Sequence, residues 1–372
     1  MKILFTGGGT GGHIFPVIAV TREIKKRQTE MELSYMGPED DFASRLFFKE
    51  GIKTYFVLSG KIRRYFNFSA FFKNIIDIFI KIPLGTIQAF LILFFTAPDV
   101  VFSKGGYGSL PTVIAAWVLR IPIFLHESDV IPGLTNKIVG KFSDKIFVSF
   151  PIKSMRYFPE SKMIFTGNPV RESLLQIDPK NTKNVLNLTS TKPVILILGG
   201  SQGSTRINNL ISQILPSLLK QFEIIHQSGQ KDFDRLTKEF QSFIPPAMQS
   251  SYHLYALLNE NEIKHALNIA TCIVSRAGAG TIFEIAAFKK PSILIPLPES
   301  AQNHQVENAY AYGNTGACIV IEESNLTPNF FFEKVIGLTD YGNLEVMQKA
   351  AGNFSKLGAA DTIADYLINY LK

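Results

Sequence analysis

Lys2-Ile3-Leu4-Phe5-Thr6-Gly7-Gly8-Gly9-Thr10-Gly11-Gly12-His13 is the stretch on which the fold turns. Its first five residues read as a β-strand, the glycines end that strand, and Pro16 falls where an early helical turn tolerates it. A strand, a glycine loop and a helix in that order let the backbone approach a ligand closely and aim helix amides at anionic groups. Gly7, Gly9 and Gly12 also satisfy G-x-G-x-x-G, with Glu32 at the distance of a ribose-binding carboxylate, so this loop alone would suggest NAD. A plain tight turn uses the same glycines, and the rest of the chain must decide.

Outward from that loop, short β-rich runs alternate with helix-length segments, the pattern of parallel sheets wrapped by helices. Strands are expected at 2–6, 32–36, 99–102, 122–125 and 145–148, then in a second series at 193–198, 222–226, 252–255, 271–274, 292–295 and 317–320. The second series again opens with a strand and a glycine loop, Gly199-Gly200-Ser201-Gln202-Gly203. A third such loop, Ser103-Lys104-Gly105-Gly106-Tyr107-Gly108, follows a strand of the first half. A dinucleotide enzyme needs one loop of this kind, whereas three of them describe two Rossmann-like halves that each face a phosphorylated ligand. Turn formers at Gly167-Asn168-Pro169 and the polar run 178–192 place the boundary there, giving domains at 1–166 and 167–357, with a helix at 358–372 expected to pack back on the first.

The chain has 372 residues, 46% hydrophobic and 19% charged, the balance of an ordinary two-domain globular protein. Cys272 and Cys318 are the only cysteines and lie in apolar runs, which reads as buried thiols in a reducing cytoplasm. The apolar run at the N-terminus is too short for a signal peptide. No uninterrupted apolar run reaches the ~20 residues of a spanning helix, the nearest being Leu84 to Ala97, broken by Gln88. The formal charge of +7 suggests anionic company.

One stretch narrows the function: Ser275-Arg276-Ala277-Gly278-Ala279-Gly280-Thr281-Ile282-Phe283-Glu284, a buried strand, then Asn303-His304-Gln305-Val306-Glu307-Asn308. Small residues let a diphosphate approach the helix start, Glu284 can accept from both hydroxyls of a ribose, and His304 and Gln305 offer polar groups to a sugar. Asn308 shares a helical face with His304.

These residues, with Gly8 to His13, Gly105-Gly106-Tyr107, His126-Glu127, Gly133-Leu134-Thr135-Asn136-Lys137, Gly167 to Arg171 and Gly199 to Gly203, closely resemble the bacterial peptidoglycan N-acetylglucosaminyltransferases that complete lipid II. The resemblance spans nearly the whole chain. It implies an α/β fold of GT-B type, two Rossmann-like domains with parallel sheets facing a central cleft. It also implies transfer of N-acetylglucosamine from UDP-GlcNAc to the 4-hydroxyl of the MurNAc of undecaprenyl-linked lipid I, with inversion. Carried over by residue, it makes Arg171, Ser201, Ala279, Gly280, Thr281, Ile282, Phe283, Glu284 and Gln305 donor contacts, with Thr10, Gly11 and Gly12 touching the donor from the other domain. It links Tyr107, Asn208, His304 and Asn308 to activity, and it expects a further donor contact near 257–260. Many relatives carry Gln-Asn after His126-Glu127 where this chain has Ser128-Asp129. Asp129, at a donor-sugar position, accepts hydrogen bonds when ionised but cannot donate as an asparagine amide does.

For the base, His13 comes first, with Glu127 and His126 behind it, because an imidazole accepts a proton near neutral pH. No Asp-x-Asp signature stands where a metal would be bound, so neither metal nor cofactor is expected. Lys61, Arg63, Arg64, Lys73 and Lys81 interleave with Tyr65, Phe66, Phe68, Phe71, Phe72, Ile75, Ile76, Phe79 and Ile80, a mixture that suits docking on the anionic cytoplasmic face of the cell membrane. Wall-synthesis proteins are possible partners there. Nucleic acid is disfavoured by the clustered apolar content. The alternatives left open are another UDP-sugar lipid glycosyltransferase of this fold, such as a diacylglycerol glycosyltransferase, a nicotinamide-dependent oxidoreductase, and a catalytically silent nucleotide-sugar-binding regulator.

Overall fold

The computed structural model describes residues 1–8, 11–61, 63, 68–200, 203–339 and 341–372. Thr10, Ser201 and residues 64–66 of the basic-aromatic segment lie outside the described residues. The chain divides into one unit of Met1–Arg171 with Lys356–Lys372 and another of Glu172–Ser355. The first unit therefore runs past Thr166, and Gly167 to Arg171 belong to it and not to the second. The turn formers read as a linker are a packed turn: the amides of Thr166 and Gly167 both donate to the Val148 carbonyl, and Asn168 is buried.

The first unit holds strands β1 (Lys2–Thr6), β2 (Glu32–Gly37), β3 (Lys53–Phe56), β4 (Val100–Ser103), β5 (Ile123–Glu127), β6 (Lys145–Val148) and β7 (Met163–Phe165). They pair in parallel in the order β3-β2-β1-β4-β5-β6-β7. The second holds β8 (Val194–Leu198), β9 (Glu223–Gln227), β10 (Tyr252–Tyr255), β11 (Cys272–Ser275), β12 (Ser292–Leu294) and β13 (Cys318–Val320), in parallel order β10-β9-β8-β11-β12-β13. The central strands β1, β4, β5, β8 and β11 are apolar on both faces because helices cover both sides. Burying such faces supplies most of the stability, on the order of 25 cal/mol per Å² of apolar area.

Two strands are additions to the sequence reading. β3 and β7 are edge strands with exposed or half-buried positions, so they lack the apolar signature of the centre. The helix Gly11–Arg27 also begins earlier than expected, which puts Pro16 inside it, where it cannot donate to the Gly12 carbonyl. The closing helix Ala359–Leu371 packs Ile363, Leu367 and Ile368 into the core of the first unit, and Arg27 pairs with Asp361 and Asp365.

The largest departure concerns 68–96. Helix Phe68–Ile76, a π-turn at Asp77–Lys81 and helix Ile82–Thr96 run on as one helical rod. Over Phe71–Thr96 it is long and apolar enough to cross a membrane by length and composition, with only 17% of its most apolar window buried. The sequence hid this because Lys73, Asp77 and Lys81 interrupt the apolar run; the structure pairs Asp77 Oδ1 with Lys81 at 2.8 Å and Oδ2 with Arg63 at 2.7 Å. Attachment to the unit rests on the buried stripe Gly85, Ala89 and Leu93.

Candidate functional site

In both sheets the strand order reverses once, between β1 and β4 and between β8 and β11, and ligands of open α/β sheets bind outside the carboxyl ends at such a point. Each glycine-rich segment that the sequence singled out follows one of these four strands. The sites are therefore placed by topology before any side chain is considered.

At the first reversal, β4 ends in Lys104-Gly105-Gly106 and β5 ends in His126-Glu127. Gly105 has φ +81°, and a Cβ on it would come 1.8 Å from Asn136 Oδ1, so only glycine fits. Asn136, on the helix Leu134–Phe142, donates to Glu127 Oε2 at 2.8 Å and accepts from the Gly106 amide at 3.3 Å. Glu127 Oε1 accepts from the Asp129 amide at 2.9 Å. Desolvation and then the Asp129 charge push the Glu127 carboxyl up to about 7, against Lys104 and the two hydrogen bonds.

His13 Nδ1 lies 3.4 Å from the Lys104 carbonyl, an acceptor, which assigns the proton to Nδ1 and leaves the Nε2 lone pair free of it. Burial and then the Lys104 charge lower the His13 pKa to about 4, so the ring is neutral at pH 7. His126 is fully buried; its Nε2 meets the Gly167 carbonyl and Ser149 Oγ, each at 3.3 Å, and burial holds it well below the ordinary histidine value. Arg171 places its guanidinium 4.3 Å from the centre of the Phe15 ring, on the helix that leaves the first glycine loop. Gly12 is exposed, while Gly11 and Tyr107 are half-buried.

At the second reversal, a cavity of roughly 430 Å³ is lined by Gly199, Gly200, Gly203, Arg276, Thr281 and Gln305, among others. It lies against the start of the helix Ala279–Ala287, where added Cβ atoms at Gly278 and Gly280 would meet nothing within 4 Å. Helix amides there have no intrahelical acceptor and favour an anion. Gln305 Oε1 accepts from the Leu297 amide at 3.1 Å, which fixes it beside the cavity. Gln302 and Asn303 both have φ near +60°, a costly left-handed pair immediately before His304.

Several expected contacts play other parts. Ile282 and Phe283 point into the core, Phe283 against Phe354, so only their backbone is open to a ligand. Ala279 is buried and Glu284 half-buried. Asn308, fully buried, donates to the Ala277 carbonyl at 3.3 Å and ties its helix to the small-residue loop. Asn208, also fully buried, donates to the Ser228 carbonyl and Asp232 Oδ2, each at 2.9 Å, and meets His226 Nε2 at 3.0 Å. Both asparagines are engaged in buried contacts within the second unit.

Four residues were given no role of their own in the sequence. Arg276 donates to Ser204 Oγ at 2.7 Å and to the carbonyls of Ile295 and Pro296, bracing three loops at once. Gln227 joins the Gly200 carbonyl to the Leu258 amide, within the stretch where a donor contact was expected. Lys104 and Asn136 organise the first site. Each stands far along the chain from its partners, and the sequence carries no local signal of such pairings.

Residues 3–148 match the glycosyltransferase family 28 N-terminal domain and residues 194–363 the glycosyltransferase family 28 C-terminal domain. The chain is 35% identical over 370 residues, 99% of this chain and 98% of the relative, to a Clostridium tetani protein named UDP-N-acetylglucosamine–N-acetylmuramyl-(pentapeptide) pyrophosphoryl-undecaprenol N-acetylglucosamine transferase. It is 38% identical over 335 residues, 90% and 89% of the two chains, to the Clostridium perfringens (strain SM101) protein of the same name. Its fold is like that of Acinetobacter baumannii MurG, with a TM-score of 0.74 at 24% identity and 99% of each chain covered. Both domain matches and the full-length likeness give one result: the chain belongs to the pyrophosphoryl-undecaprenol N-acetylglucosamine transferases of glycosyltransferase family 28.

Proposed function

We propose that this chain transfers N-acetylglucosamine from UDP-N-acetylglucosamine to the 4-hydroxyl of the muramoyl sugar of undecaprenyl-linked lipid I, giving lipid II for peptidoglycan synthesis. The observation that carries the reading is the cavity at the β8–β11 reversal, lined by Thr281, Gln305 and glycines, in a chain of this family. The donor diphosphate lies against the helix start at 278–281, with Glu284 on the ribose. The acceptor oxygen forms its bond to the sugar C1 as the bond from C1 to the phosphate oxygen breaks, and UDP leaves with that electron pair. The acceptor proton goes to His13 Nε2, whose lone pair the Nδ1 contact leaves available. His126, enclosed by Gly167 and Ser149, orients the end of β5 and takes no proton from substrate. Glu127, with both oxygens occupied by Asp129 and Asn136, shapes the loop. Incubation with UDP-GlcNAc and a lipid I analogue is expected to release UDP in step with disaccharide formation; release that does not depend on that acceptor would overturn the reading.

The same reading places the first unit on the cytoplasmic face of the cell membrane. Phe68, Phe72, Ile76, Phe79, Ile80, Leu84, Ile87, Leu91 and Phe94 are exposed at helical spacing along one rod. Arg63 and Lys81 are occupied by Asp77, so the cations left to meet lipid here are fewer than the sequence suggested. Docking then rests chiefly on apolar insertion, at about 1.5–3 kcal/mol for each aromatic fully removed from water. Vesicle co-sedimentation is expected to persist with neutral lipid and to fail for a Phe72→Ser, Phe79→Ser, Phe94→Ser variant; binding retained by that variant would count against it.

A further inference from the structure

Lys104 is 1% exposed, one of the largest fully buried side chains, and nothing in the transfer step requires it. Its backbone amide donates to the Thr6 carbonyl, joining the ends of β4 and β1. Its ammonium donates to Ser128 Oγ at 3.0 Å. Among the described residues, the titratable groups that face it are Glu127 at the end of β5, Asp129 just beyond it, His126 within β5 and His13 on the first helix. Burial lowers the Lys104 pKa while the charges of Glu127 and Asp129 oppose that shift, and a buried charge persists only when paired and hydrogen-bonded. A carboxylate at 129 cannot donate a hydrogen bond, whereas the ammonium supplies both a donor to Ser128 and a charge opposite to that of Glu127 and Asp129.

We propose that Lys104 is a positioning residue of the transfer site, a buried cation that clamps Ser128 by its hydrogen bond and sets the charge around Glu127, Asp129 and His13 beside the acceptor. The proposal deepens the transferase reading and rests on it for the word "acceptor"; the charge relation among the four side chains stands without it. The Lys104 charge disfavours protonation of His13 and His126 and favours ionisation of Glu127. Removing it moves all three in one direction: each group binds its proton more readily.

In the full-length enzyme, Lys104→Met is expected to move the acid limb of the kcat/KM profile upward by about one pH unit or more, the size commonly exerted by a charge a few ångström away. A lysine that served packing alone would lower the profile without moving its limb. The double variant Lys104→Met, Asp129→Asn removes one charge of each sign and is expected to bring the limb back towards wild type and recover at least part of the lost activity. Imidazole NMR titration gives a readout independent of turnover: the His13 pKa rises in Lys104→Met and returns in the double variant. If wild type transfers no sugar, the transferase reading fails while the titration still judges Lys104. If Lys104→Met does not fold, a folded double variant supports charge balance, and failure of both to fold overturns it. An unmoved limb, or His13 titrating alike in wild type and Lys104→Met, also overturns it.

Discussion

Asn136 joins Glu127 to the glycine loop that follows β4: its amide nitrogen donates to Glu127 Oε2 at 2.8 Å while its carbonyl oxygen accepts from the Gly106 amide at 3.3 Å. Asn136→Ala strands both partners, at about 1–3 kcal/mol for each buried group left unmade. The first unit is expected to lose roughly 2–6 kcal/mol on that basis. Asn136→Asp sets a second carboxylate against Glu127, so its loss should be larger at pH 8 than at pH 5, where Glu127, pushed up to about 7, is protonated. Urea unfolding at the two pH values decides this, and an Asn136→Asp variant equally stable at both would contradict the geometry.

The centre of each sheet was legible because apolar runs before glycine loops are local features, as at Ile3 to Gly8 and Val194 to Gly200. The edges of the first sheet were not: β3 has exposed Lys53 and Phe56 and is specified by pairing with β2 instead of by its own pattern. The diphosphate loop was legible from Ala277 to Gly280, but Asn208 and Asn308 read the same in sequence whether they touch a sugar or a neighbouring carbonyl. Charge was the least legible feature. Arg63 and Lys81 looked like lipid-facing cations until Asp77 took both, and Lys104 looked like one more residue of a glycine loop until burial set it among Glu127, Ser128 and Asp129. Lys81 and Asp77 are an i,i+4 pair that helical spacing could have revealed, but Arg63 stands 14 residues from Asp77 and Lys104 stands 24 from Ser128, and no periodicity records those pairings.

The open space at Gly278 and Gly280 yields a test that separates ligand from fold. Neither has a positive φ, and an added Cβ meets no protein atom within 4 Å. Gly280→Ala, inside the helix, should leave the melting temperature unchanged or raise it slightly, since alanine is the better helix former. The methyl group fills volume assigned to the diphosphate, so UDP affinity should fall about tenfold, or 1.4 kcal/mol, by calorimetry. Unchanged UDP affinity in both Gly278→Ala and Gly280→Ala would remove this helix start from the donor site.

Gly85 fixes the apolar rod to the first unit. A Cβ there would lie 1.8 Å from the Leu58 carbonyl oxygen, so Gly85→Ala must separate the helix from that segment. Overpacking of this kind commonly costs about 1–3 kcal/mol. Hydrogen exchange should quicken at the Leu58 amide, which donates to Gln88 Oε1, and not in the core strands β1 and β4. Uniformly faster exchange, or none, would mean that the rod is not held through this contact.

The second unit carries a pH-dependence of calculable sign. His226 is fully buried, donates from Nε2 to Asn208 Oδ1 at 3.0 Å, accepts at Nδ1 from the Tyr252 hydroxyl at 2.8 Å, and has its pKa pushed down to about 3 by burial. The unfolded chain takes up this proton near pH 6.5, the folded chain only near 3. Between those values the unfolded state binds more protons, so the stabilisation is full above pH 6.5 and drains away as pH falls towards 3. One proton corresponds to a slope of up to about 1.4 kcal/mol per pH unit. His226→Gln should be less stable at pH 7, having lost the network beneath Asn208, yet its unfolding free energy should fall less steeply from pH 6.5 to 4 than that of wild type. His13 and the carboxylates titrate in both proteins and cancel in the difference. Parallel curves for the two would show that His226 is not held neutral, and the tautomer that locks Asn208 against Ser228 and Asp232 would have to be reassigned.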